Sequence, residues 1–216
     1  MNLTEIDCKE IFRNAYEKRY TWDDDFKGYQ GKCFLSMANQ IYQGNFLIGK
    51  DYKPVIQKID DEEIKKSIGS QLFEVSIHRV KREFQSIHSE NSFSFLRSSE
   101  RGIEMKVSGK NNGDKYRVKD ECINMVYRKI HGIIIQIFVE GFLDTGCGFL
   151  SKNYTSQQID PKTFKANSPK LEYEDKFKNI GNNNIWLLHS RTIKYLNENQ
   201  EEKIQKFIFD DLSLLK

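Results

Sequence analysis

The sequence predicts an α+β fold: a strongly curved antiparallel β-sheet, a half-barrel or barrel-like meander, with two amphipathic helices packed on it. Three observations carry this expectation. Two stretches in the first 82 residues repeat apolar side chains at the helical spacing of 3.6. From about residue 91 onward, almost every segment alternates at the strand period of two. The turns between those segments are short, which suits antiparallel neighbours and leaves no room for the crossover helices of a parallel sheet. A long meander accumulates twist and exposes its edges, so it should curl, with the helices across its concave side or opening. Such a sheet encloses either a core or a cavity, depending on side-chain size.

The first helix starts where Asp7 and Glu10 form a capping box, and Cys8, Ile11, Phe12, Ala15 and Tyr16 recur on one face; it should end near Tyr20. A hairpin follows. Tyr29, Cys33, Leu35 and Met37 share a face of its first strand, "ANQ" turns the chain, and "IYQGNFLIG" returns. The second helix lies in "DDEEIKKSIGSQLFEVSIHRV", with a capping box expected at Asp60 and Glu63 and an apolar stripe of Ile64, Ile68, Leu72 and Val75. Gly69 weakens its middle by roughly 1 kcal/mol relative to alanine.

Beyond it, Phe93 and Phe95 alternate, as do Ile103, Met105 and Val107. Asn112-Gly113 is the two-residue signal of a type I′ hairpin, because both positions tolerate positive φ. In "LEYEDKFK", Leu171, Tyr173 and Phe177 face in while Glu172, Glu174, Lys176 and Lys178 face out. "NIGNNN" then leads into "IWLLHSRTIKYL", and "ENQEE" into "KIQKFIFDDL". With only three prolines and no Gly/Ser-rich run in 216 residues, 1–216 reads as a single domain.

Composition bounds the function. Hydrophobic residues make up 38% and aromatic residues 12%, enough for a sizeable core. The balance of 34 basic and 31 acidic side chains leaves a net charge of +3, so no whole-molecule field draws the chain to nucleic acid. The basic runs "HRVKR" and "YRK" read as solvated faces, diluted by Asp23–Asp25 and Asp60–Glu63. The greasiest run, Ile133 to Val139, is far shorter than the ~20 residues of a membrane-spanning helix. "MNLTEIDCKEIF" lacks the apolar core of a signal peptide, and the four cysteines show no paired spacing. A cytoplasmic or equivalent reducing compartment is therefore expected, with the thiols reduced and mostly buried.

Motifs for chemistry are sparse. His78, His88, His131 and His189 stand at no recognised metal-ligand spacing, so neither a metal site nor a cofactor is expected. There is no G-x-S-x-G, and "GFLDTGCGF" has no phosphate-loop spacing. Cys147 reads as a small residue in a tight bend before it reads as a reactive thiol. His131, beside Gly132 at the head of an apolar strand, reads as structural, and alternatively as a side chain lining a cavity and orienting a polar group of a ligand.

The blocks "AYEKRYTWDDDFKGY", "QLFEVSIHRVKREF", "SGKNNGDKYRV", "MVYRKIHG" and "DTGCGFLSKNY" together resemble an uncharacterised protein family found mainly in cyanobacteria, with plastid relatives. The resemblance spans nearly the whole chain. It implies a photosynthetic context and no established activity, and its blocks nominate Trp22, His78, Arg79 and His131 as ligand-binding candidates. In the family the stretch before "IHG" is richer in histidine; here Tyr127, Arg128 and Lys129 occupy it, which weighs further against a metal. The expected sheet is also similar in outline to the lipoprotein-carrier half-barrels, an analogy of fold only.

The leading functional expectation is a soluble binding or chaperone-like protein for an apolar ligand, a pigment or lipid, held in a cavity between helices and sheet. A protein-interaction or assembly module with a protein partner ranks second, and predicts an exposed apolar patch. The third is a lyase or isomerase acting on a tetrapyrrole, which requires His78, Arg79 and His131 to converge in one cleft.

Overall fold

Alternation and helical spacing organise the chain into twelve antiparallel strands and three helices in a computed structural model that describes residues 7–181 and 184–216. In chain order these are α1 (Cys8–Glu17), β1 (Tyr29–Met37), β2 (Gln40–Ile48), β3 (Pro54–Gln57), α2 (Glu62–Ile77), α3 (Phe84–His88), β4 (Asn91–Ser99), β5 (Gly102–Gly109), β6 (Lys115–Lys119), β7 (Cys122–Ile130), β8 (Ile133–Asp144), β9 (Phe149–Ile159), β10 (Leu171–Ile180), β11 (Ile185–Leu196) and β12 (Glu202–Leu214). They fall into two compact units. Of the described residues, one takes 7–20 together with 82–172, the other 21–81 together with 173–181 and 184–216.

In the first unit the strands run in the hydrogen-bonded order β9-β8-β7-β6-β5-β4, each antiparallel to the next, and α1 packs on β4, β6 and β7. Asp7 caps α1 by accepting the Glu10 backbone N–H at 3.0 Å. One face of the helix then buries Cys8, Phe12, Ala15 and Tyr16 against Met105, Val107, Tyr116 and Val118 of β5 and β6 and Phe84 of α3. The rings interlock: Phe12 lies 4.4 Å from Tyr116 and 4.8 Å from Phe93, centre to centre. His88 is enclosed in the same cluster, edge-on to Phe12 and Tyr16 at 5.2 Å. Its Nδ1 lies 3.0 Å from the Asn91 amide nitrogen, so it accepts there as a neutral ring. Burial, with smaller contributions from Arg128 and Arg19, pushes the His88 pKa down to about 4.

In the second unit the order is β3-β2-β1-β12-β11-β10, again antiparallel at each pairing described, and α2 packs on β3 and β1. Ile64, Ile68, Leu72 and Val75 form the buried stripe of α2, as their spacing predicts. Within this core lies a charge. Arg191 of β11 is 1% exposed and grips Asp175 of β10 with two parallel bonds, Nε to Oδ1 at 2.8 Å and Nη2 to Oδ2 at 2.7 Å. Its Nη1 donates to Gln71 Oε1 at 3.0 Å and meets Glu74 at 3.5 Å, which ties α2 to the sheet.

The hairpin over β1 and β2, the alternation of β4 and β5, and the later strands stand where their patterns place them. Four details differ. The α2 cap is Asp61, whose carboxylate accepts from Glu63 and Ile64; Asp60 lies one residue too far out to reach those amides. Helix α1 ends at Glu17, because Lys18 to Tyr20 leave the helix to bond with Phe149 at the start of β9. Asn112-Gly113 makes no two-residue turn: β5 runs on to pair with β4 as far as Gly109, so a longer loop joins β5 to β6 and only Gly113 of the pair has positive φ. The two-residue turns with both φ positive fall instead at Ala38-Asn39, Asp120-Glu121 and His131-Gly132. The short elements β3 and α3 had no predicted counterpart, and Asn182 and Asn183 of the "NIGNNN" turn lie outside the described residues.

Arg191→Met should cost about 3–5 kcal/mol of unfolding free energy, because it strands the Asp175 carboxylate in the core. Arg191→Met with Asp175→Leu should recover most of that loss in urea titrations; a double variant as weak as the single one contradicts this account. The His88 pKa lies below its ordinary 6.5, so the unfolded chain takes up the proton first. The stability it contributes is whole above about pH 6.5 and is lost as pH falls toward about 4, in total on the order of 3 kcal/mol. The difference in unfolding midpoint between wild type and His88→Phe should therefore shift between pH 7 and pH 4.5, and parallel profiles would exclude His88 as the cause.

Candidate functional site

Strand alternation gives the first unit two distinct sheet faces. Ile103, Met105, Tyr116 and Val118 point to the α1 side, so Glu104, Arg117 and Lys119 point to the other. There the register aligns Arg97, Glu104, Arg117, Met125, Phe138 and Thr155 as a cross-strand row from β4 to β9. Along it opens a cleft of about 680 Å³. Phe138, Val139 and Phe142 of β8 supply half-buried apolar surface, Cys122 and Thr155 are buried within its lining, and Arg101, Arg117, Lys119 and Lys170 bring four cations. Glu100, Asp120 and Glu140 bring three carboxylates.

The cations are not equivalent. Arg117 is the half-buried one: its Nε donates to Asn124 Oδ1 at 3.0 Å, and its guanidinium stands 5.6 Å from the Phe138 ring centre. Asn124 in turn donates to the Arg101 carbonyl at 2.9 Å, so one amide links Arg117 to the turn that carries Arg101. Burial lowers the Arg117 pKa first, Glu104 opposes that, and Arg101 and Arg97 add to the lowering. Glu104 itself is engaged by Arg97, which reaches it with Nε at 2.9 Å and Nη2 at 2.8 Å. Gly102 lets the β4–β5 and β6–β7 turns meet: at its φ of +117° an added Cβ would sit 2.3 Å from the Val118 carbonyl and 2.9 Å from Lys119 Cβ. The Cys122 thiol is pushed up to about 11, chiefly by burial, and is held protonated near neutrality.

The four nominated residues are divided between the units: Trp22, His78 and Arg79 lie in the second and His131 in the first. Trp22 is buried, stacked on Phe26 at 4.2 Å, with its backbone N–H on the Arg79 carbonyl at 2.7 Å. Arg79 follows α2 and sets its guanidinium 5.6 Å from the Phe177 ring. Trp22 and Arg79 are thus brought together in the second unit. His78 is the exposed C-terminal cap of α2. His131 belongs to the first unit and is turn chemistry: with φ of +49° it pairs with Gly132 at +83° to close β7 onto β8, exposed to solvent. Neither histidine lies in an enclosed cleft, as the tetrapyrrole lyase or isomerase reading needs.

The space beneath the helices also differs from expectation. Interlocked rings fill it under α1 and an aliphatic stripe fills it under α2, whereas the cleft opens on the sheet face away from α1. Cys147 sits exposed in the bend between β8 and β9, and the adjacent Gly148 has the constraint: a Cβ there would meet Tyr20 N at 2.8 Å. Among the described residues no group of three or more His, Cys, Asp or Glu side chains is placed to hold a metal, and no helix is long and apolar enough to cross a membrane.

Residues 3–215 match the family described as "Protein of unknown function (DUF3386)", and the chain belongs to that family. No curated protein matches the sequence. Among solved structures, the chain is similar to a LolA superfamily protein from Nitrosomonas europaea at 8% identity and a TM-score of 0.40, covering 98% of this chain and 95% of that one. It is also similar to a DUF1329 family protein from Desulfovibrio piger at 9% identity and a TM-score of 0.31, covering 96% and 93%. Neither likeness bears on what this chain binds.

If His131 serves the turn and not a ligand, His131→Asn should hold or raise stability by a few tenths of a kcal/mol, since asparagine accepts positive φ more readily. It should leave ligand affinity unchanged. A thermal unfolding scan and a binding titration on this one variant check both, and a loss of affinity would return His131 to the site.

Proposed function

We propose that the protein binds an apolar small molecule, of the size of a lipid chain or a pigment, in the cleft on the β6–β9 face of its first unit. The observation that carries this reading is that Phe138, Val139 and Phe142 of one strand line, half-buried, a concavity of about 680 Å³. Ligand pockets typically span ~300–1,000 Å³ and combine apolar walls with a few fixed polar groups. Fully burying a Phe or Val side chain is worth on the order of 1.5–3 kcal/mol, so these three, already half-buried, supply only part of the ~8 kcal/mol of micromolar binding and the apolar surface of the ligand itself supplies the rest.

The alternative of a protein-interaction module draws on a different place. In the second unit Leu47 and Val55 are cross-strand partners on β2 and the edge strand β3, and both are exposed, as is Ile41. The two readings separate by mutation.

Native mass spectrometry and titration with an environment-sensitive apolar probe test the proposal. Wild type should bind the probe at micromolar concentration with a stoichiometry of about one. Phe138→Ala with Phe142→Ala should weaken it roughly tenfold or more, while Leu47→Ser with Val55→Ser leaves it unchanged. A wild-type protein that binds no apolar probe, or a probe lost only with the Leu47 and Val55 changes, overturns the assignment.

A further inference from the structure

The chemistry at one end of this cleft names its ligand more narrowly, an inference that rests on the binding reading above. Four cations line the cleft, and none of them is in an ion pair within 4.0 Å among the described residues. The carboxylate best placed to neutralise Arg117, Glu104, is taken by Arg97 through two nitrogens. Arg117 is half-buried and oriented, with Nε held by Asn124 and its plane beside Phe138, so its remaining donors form a fork set next to an apolar surface. Arg101 hangs from the turn that Asn124 also holds, and Lys119 adjoins that turn across Gly102. The three acids of the lining, Glu100, Asp120 and Glu140, are exposed and enter no ion pair among the described residues, and they reduce the excess charge of the cleft to one cation over acids.

An apolar floor ending at a pre-oriented arginine that is in no ion pair among the described residues fits a molecule with an apolar body and a single oxyanion. We propose that the ligand is an anionic amphiphile, whose carboxylate or phosphate head is gripped by Arg117, assisted by Arg101 and Lys119, while its chain lies on Phe138, Val139 and Phe142. Asn124 holds the fork through Arg117 Nε and also lines the cleft beside it. Carboxylate and phosphate share the chemistry that a guanidinium recognises, and the test tells them apart.

The experiment titrates the full chain with dodecanoate, dodecyl phosphate and dodecanol, each below its aggregation concentration, by calorimetry. Both anions should bind roughly tenfold or more tighter than the alcohol. The stronger of the two names the head group. Arg117→Gln should bring the anions close to the level of dodecanol, and a circular dichroism spectrum and unfolding midpoint matching wild type certify that the variant is folded. Asn124→Ala should lose part of the preference for the anions over the alcohol. Equal binding of all three compounds to wild type, or a preference that survives in Arg117→Gln, overturns the anionic assignment while leaving the apolar cleft standing. Failure of all three to bind removes both.

Discussion

A β-sheet has two faces, and a single amphipathic helix can cover only one of them. In the first unit α1 covers the face that carries Met105, Val107, Tyr116 and Val118, and the packing there is closed by Phe12, Tyr16, Phe84 and Phe93. Everything of interest on the other face follows from this asymmetry. Because the period of a strand is two, each apolar residue committed to α1 sends its neighbour to the far side, and those neighbours are Glu104, Arg117, Lys119 and, across the register, Phe138. A one-residue slip in β6 would carry Arg117 into the aromatic core and Tyr116 into the cleft. The register that stabilises the core is thus the register that builds the site.

Two arginine environments, one buried and one half-buried, show how neighbours decide what a charge does. Arg191 is enclosed, and Asp175, Gln71 and Glu74 accept its donors, so it holds α2 onto its sheet and offers nothing to an outside molecule. Arg117 has one neutral partner, Asn124, and its natural counter-ion is occupied elsewhere by Arg97. The first is a closed account of donors and acceptors. The second leaves donors over, and leftover donors beside an aromatic ring are what a polar ligand head requires.

How much of this was legible in the sequence divides along the same line. Patterns that serve burial could be read directly: the stripe of Ile64, Ile68, Leu72 and Val75, the alternation of Tyr29, Cys33 and Leu35, and the succession of short-turned strands. The antiparallel β-rich architecture with amphipathic helices follows from them. Residues that serve by position across strands could not be read. Arg117 meets Phe138 only because Met125 intervenes between them in the sheet, and nothing in local spacing announces the pairing. Asp175 lies at the inward phase of "LEYEDKFK" between Tyr173 and Phe177, yet a carboxylate at such a position makes sense only once Arg191 is known to face it. The histidines divide the same way: His131, whose place beside Gly132 reads as structural, closes an exposed turn, whereas no local pattern singles out His88, enclosed by rings with its pKa pushed down to about 4.

The open form of the cleft also sets how affinity and selectivity are divided. Arg101, Lys119 and Lys170 are exposed, and a unit charge pair at 4 Å in water is worth only about 1 kcal/mol. Salt at physiological strength screens them further, within about 8 Å. Glu100, Asp120 and Glu140, exposed in the same lining, offset these three cations at the cleft mouth, so they add little to steering or affinity. Arg117 differs because it is half-buried and held by Asn124, where less water competes and less side-chain freedom remains to be lost on binding. Affinity must come mainly from the surface of Phe138, Val139 and Phe142, and discrimination between a charged and an uncharged head from Arg117. Strengthening the apolar floor should tighten all chains alike, whereas a change at Arg117 should alter only the ranking of heads.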